Sequence, residues 1–141
     1  MHRDHEFPKD LRLILFHRQL ISARLQFLRF THSIYALEPL PLSAALTDSK
    51  GTMVYHPSFY LPPVEKYLGL PQGSLRREPA FQETVHTLTG HITIYLTRCT
   101  TLDPPSIAMT AMGGKFISIT EAKGCSSLEL ELLRRAYTLL N

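Results

Sequence analysis

Histidine and cysteine offer the widest chemistry here, with seven histidines and two cysteines in 141 residues. His86, His91, Cys99 and Cys125 together would supply the four donors of a tetrahedral metal site. Their spacing matches no zinc pattern, and a helix carrying His86 followed by a strand carrying His91 and Cys99 at its two ends would hold them apart. Cys125 precedes a helix, where a thiolate is favoured, but a structural thiol is the simpler reading. Gly113-Gly114-Lys115 lacks the longer glycine loop, the following Ser/Thr and the helix of a phosphate loop. No serine sits in a G-x-S-x-G setting, Asp103 before two prolines reads as a turn residue, and no pair of carboxylates has a spacing suited to acid–base work. The expectation is a chain with no catalytic residue, metal ligand or cofactor site.

The elements that would position any site are clearest in the last third. Residues 106–112 alternate, and so do residues 116–120, with Gly113-Gly114 between them. That pattern predicts a hairpin with a turn needing positive φ. Ser126 and Glu129 have capping-box spacing. Leu128, Leu132, Ala136 and Leu139 then make a helical stripe, with Leu133, Tyr137 and Leu140 beside it. This helix must lie on a sheet to bury that stripe.

Upstream, residues 1–7 read as a mobile tail and 8–141 as a single domain. From Pro8 the periodicity predicts a helix with Leu13, Phe16, Leu20 and Phe27 on its apolar arc. That arc is wider than one packing partner requires, and His17 and Arg24 interrupt it. Ala44–Thr47 and Thr52–His56 flank an Asp-Ser-Lys-Gly turn as a second hairpin. Residues 57–79 are broken by prolines, with one helical piece at Val64–Leu70. Residues 80–88 predict a helix with Phe81, Val85 and Leu88 on one face, stopped by Gly90. His91–Cys99 follows as a strand. The implied fold is α+β, a five-stranded, mostly antiparallel sheet with N- and C-terminal helices packed on it.

Composition agrees with a globular chain: 44% hydrophobic, 19% charged. Two cysteines are too few for a disulfide framework and suit a reduced, cytoplasmic protein. No apolar run is long enough to span a bilayer. The formal charge of +3 lies in residues 1–32, which hold six basic and three acidic side chains, while the remainder balances. That excess is too dilute, and too poor in stacking aromatics, for a nucleic-acid partner.

The ALTDSKGTMVY segment and the KFISITEAKGCSSLELELLRRA ending, with the element order from Leu11 to Leu140, resemble the roadblock family of dynein light chain-like domains and, more widely, profilin-like folds. The proline-rich middle departs from that family's single long second helix, which commonly forms its dimer surface. The resemblance implies a non-enzymatic scaffold module that dimerises or docks into a larger complex, such as a small-GTPase or trafficking regulator. Its expected protein-binding residues are His17, Arg24, Leu25 and Leu28 on the first helix. Ile92, Thr93, Ile94 and Tyr95 join them on a strand expected at the sheet edge. The alternative is a small ligand-binding protein or enzyme of profilin-like fold, with a pocket between residues 57–79 and the sheet.

Overall fold

The structure, a computed structural model, describes residues 7–31, 33–48 and 54–141. The chain opens on strands, not a helix: β1 is Leu11–Arg18 and β2 is Leu25–Phe30. The expected N-terminal helix is therefore corrected. All side chains from Leu11 to His17 are buried. A strand covered on both faces carries apolar residues at nearly every position, and such a run satisfies helical and strand periods alike.

β3 (Ala45–Thr47), β4 (Leu75–Thr87), β5 (Gly90–Cys99) and β6 (Gly114–Ile117) complete a six-stranded mixed sheet in the order β3-β4-β5-β1-β2-β6. The five-stranded expectation is corrected, although the α+β class holds. β1 and β5 run parallel, from Leu11 opposite Thr93 to Phe16 opposite Arg98, and the other pairings are antiparallel. The strand expected at the edge, β5, lies inside the sheet between β4 and β1.

Three helices cover the two faces: α1 (Pro57–Tyr67), α2 (Ser106–Ala111) and α3 (Ser127–Leu140). Leu132, Leu133 and Ala136 of α3 pack on Ile14, Phe16, Ile94 and Leu96. On the opposite face Tyr60, Leu61 and Val64 of α1 and Met109 of α2 pack on Leu11, Leu13, Leu15 and Tyr95. Between residues 57–79 and the sheet, where the alternative reading places a pocket, these side chains form the second core. Tyr60 stacks on Tyr95 at 5.6 Å, and the Arg77 guanidinium lies 4.0 Å from the Tyr95 ring centre.

The other departures have local causes. Residues 80–88 belong to β4 and the turn after it, because Phe81 and Val85, four apart, share a face in either a helix or a strand. Pro79 falls where the register shifts between Arg77 and Gln82, at a bulge beyond the reach of short β3. Residues 106–111 form α2 rather than a strand, and Met109 is the one buried side chain within it. The turn at Gly113, φ +79°, then links α2 to β6. At Gly114 a Cβ would meet Leu28 Cδ1 at 3.1 Å and the Met109 carbonyl oxygen at 3.2 Å, so a side chain there would press on both β2 and α2. β3 pairs with β4; of its expected partner strand, Thr52 and Met53 lie outside the described residues, and His56 caps α1 through the Ser58 amide. Most of the expected Asp-Ser-Lys-Gly turn lies outside the described residues, as does the expected tail except Phe7, whose ring packs edge-on against Tyr67. Among the described residues no helix is long and apolar enough to cross a membrane.

The terminal helix forms as its sequence implies. Ser126 accepts from the Glu129 amide and Glu129 accepts from the Ser126 amide. Arg135 bonds both Glu131 on its own helix and Glu83 on β4, each at 2.8 Å, fastening α3 to the sheet. Leu132 is completely buried beneath it. Leu132→Ala is expected to lower stability by about 2–5 kcal/mol in urea unfolding. A loss below about 0.5 kcal/mol would place α3 outside the cooperative core.

Candidate interaction surface

The end of the sheet where β1 passes into β2 is held together by backbone and side-chain hydrogen bonds. The Gln19 backbone N–H donates to the Arg24 carbonyl at 3.0 Å, and the Ser22 hydroxyl donates to Gln19 Oε1 at 2.6 Å. Ala23 takes φ +57°, a left-handed conformation that a residue with a Cβ adopts at a cost. The chain following β5 joins this turn. His17 Nε2 lies 2.9 Å from the Thr101 carbonyl oxygen, and Gln19 Nε2 donates to Asp103 Oδ1 at 3.4 Å. Thr101 Oγ1 in turn donates to the Asp103 carbonyl at 2.6 Å.

This scaffold presents apolar side chains to solvent. Leu20 is 71% exposed, Ile21 93% and Leu102 66%. Arg24 stands exposed beside them. Its charge, after the Ser118 hydrogen bonds and Lys115, contributes to holding the Glu121 carboxyl below its ordinary range. Arg18, Arg76 and Arg98 lie at the same end, on the α3 face, since Arg76 pairs in register with Arg98. Arg18 Nη2 donates to the Leu140 carbonyl at 2.6 Å, closing one of the free carbonyls at the end of α3.

The sequence-expected binding residues divide. Arg24 and half-buried Leu25 lie at the tip. His17 reaches the tip but is buried, its ring serving the Thr101 carbonyl and standing edge-on to Phe116. Leu28 is buried on the α1–α2 face. Ile92, Thr93, Ile94 and Tyr95 are buried within β5, so they form no edge. The edge premise fails because β1, expected to be helical, pairs with β5 instead.

Leu20, Ile21 and Leu102 were missed. A helical reading of residues 8–30 draws Leu20 and Ile21 into an apolar arc, whereas a break at Gln19–Arg24, between two strand-length apolar runs, would have exposed them. Leu102 sits in a proline-bounded turn with no periodic signal.

The metal-ligand candidates are dispersed. His86 and His91 face one another across the β4–β5 pair, Cys99 ends β5, and Cys125 precedes α3. Among the described residues no group of three or more His, Cys, Asp or Glu is placed to hold a metal ion. No family model matches the chain, and no curated protein matches its sequence.

The two thiols differ in setting. Cys99 is buried beneath α1, and burial pushes its pKa up to about 12. Cys125 is half-buried; burial raises its thiol as well, while Arg29 pulls the other way. A thiol that stays protonated and covered does not react. Ellman's reagent on the native protein at pH 8 is expected to modify Cys125 first, and Cys99 at an appreciable rate only in denaturant. Equal native rates would show that the core between α1 and the sheet is open.

Proposed function

We propose that the protein is a non-enzymatic interaction module that docks a different protein at the β1–β2 tip. The observation that carries this reading is the exposure of Leu20, Ile21 and Leu102 on a turn tied down by hydrogen bonds. Exposed apolar side chains grouped on an ordered support mark association surfaces. Such a support also reduces the entropy lost on binding.

The charge at this end defines the partner. Arg18, Arg24, Arg76 and Arg98 outnumber Asp103 and Glu121 there, and a second copy would bring the same arginines against them. The partner is therefore a protein segment with apolar side chains for Leu20 and Ile21 and carboxylates for Arg24. Charge complementarity of this kind mainly aids encounter and register. The module reading rests on this surface and not on the roadblock resemblance, whose element order begins on a helix where this chain has β1.

A photo-reactive residue at position 21 is expected to give one recurrent heteromeric adduct in native-source extract. Position 88 is the control: Leu88 is 92% exposed in the turn at the opposite sheet end. Arg24→Glu should weaken adduct formation while leaving stability within about 0.5 kcal/mol of the parent. Equal labelling at 21 and 88 would reduce the tip to nonspecific apolar exposure, and an adduct of two copies of this chain would replace docking with self-association.

A further inference from the structure

Two of the seven histidines are brought together by the sheet. His86 on β4 and His91 on β5 are Cα partners in the antiparallel register, beside the turn that joins the two strands. Residues paired in this way project from the same face of a sheet. Counting in steps of two from Gln82 opposite Tyr95 puts the pair on the face that carries α1. Both histidines are exposed there. Neither ring has a hydrogen-bond or ion-pair partner among the described residues.

The pairing is of the close kind. The Thr93 amide donates to the Asp10 carbonyl, away from β4. His91, two residues earlier on the same strand, turns its amide the same way, so His86 and His91 form a non-hydrogen-bonded pair. In such pairs the Cα atoms lie about 4.5 Å apart and the side chains stand closest. Two imidazoles on that spacing can turn toward one ion between them. The other neighbour of His86, on β3, is Ala45, whose methyl group leaves the ring room to do so. His17 and His56, by contrast, are engaged with the Thr101 carbonyl and the Ser58 amide.

The donor set selects the kind of ion. Structural zinc sites close with four protein ligands and catalytic ones use three, and no third His, Cys, Asp or Glu joins this pair among the described residues. Two imidazoles with water in the remaining positions suit the tetragonal geometry of copper(II) or nickel(II). Calcium and magnesium need carboxylate or carbonyl oxygens, which the pair does not supply. Charge does not recruit them either. The cleft beside His91 is lined by Lys9 and Arg12 against Asp10 and Glu38, which balance.

We propose that His86 and His91 form a two-histidine site for a divalent transition-metal ion, copper(II) foremost, on the β4–β5 hairpin. Copper(II) is the divalent first-row ion that nitrogen donors hold most tightly. Both rings must be unprotonated to coordinate, so acid releases the ion. The bound ion clips β4 to β5 beside the turn. This site stands at the opposite end of the sheet from the docking tip and does not rest on it.

Copper(II) chloride is the probe, titrated into the full chain near neutral pH and followed by calorimetry and ¹⁵N–¹H correlation spectra. The paramagnetic ion broadens the amides nearest to it, and the broadening is expected to centre on His86 and His91. His2, His5 and His32 lie outside the described residues. A chain carrying His2→Ala, His5→Ala and His32→Ala should therefore bind at the hairpin as the parent does. His86→Ala and His91→Ala should each weaken that binding at least about tenfold, the loss that follows even when a group behind a metal ligand is removed. Because both side chains are exposed, the metal-free melting temperatures of the two variants should match the parent's. Nickel(II) and zinc(II) should bind the hairpin more weakly than copper(II). The proposal is overturned if the broadening centres elsewhere, if either single variant binds like the parent, or if magnesium displaces the copper. It is equally overturned if the hairpin takes up two ions and each variant one, which marks two independent histidines and an adventitious ion only.

Discussion

The parallel contact between Leu11–Phe16 and Thr93–Arg98 governs the architecture. Two strands far apart in sequence run side by side in the same direction, which a tight turn cannot arrange. The intervening chain must travel the length of the sheet and return, and it does so through β2, β3, α1 and β4. Because β1 and β5 lie inside the sheet, both their faces need cover. α3 supplies one, and α1 with α2 the other. Removing the apolar side chains of this pair from water is the main favourable term available to the fold.

The same constraint separates the exposed surfaces. The ends of β1 and β5 emerge together, so the β1–β2 turn and the chain after Cys99 meet and are cross-linked by His17 and Gln19. The starts of the two strands emerge at the other end, where Arg12 donates to the Pro39 carbonyl. At the first end the exposed apolar side chains Leu20 and Ile21 stand on a hydrogen-bonded turn.

How much of this was legible depends on how many faces each element buries. α3 buries one face, so its stripe and its Ser126–Glu129 cap were readable and formed as expected. β1 buries two, so its apolar run lost the alternation that would have distinguished it from a helix. Phe81 and Val85, spaced by four, were ambiguous for a related reason. Of the expected site residues, Arg24 is exposed at the tip because a polar turn residue stays outside in either reading. Ile92 to Tyr95 are enclosed because the identity of their neighbour, β1, was mistaken.

The sequence by itself determined the α+β class, the terminal helix with its cap, the strand at His91–Cys99 and the concentration of positive charge in the first 32 residues. These follow from periods, caps and counts that act over a few residues. Tertiary structure decided that residues 11–18 and 25–30 are two strands, that β5 is interior, that Leu20, Ile21 and Leu102 stand exposed, and that Arg12 and Tyr35 lie buried. Each of these depends on which distant segment lies alongside. Pairing partners are chosen by burial and hydrogen bonding across the whole chain, and no local window contains that choice.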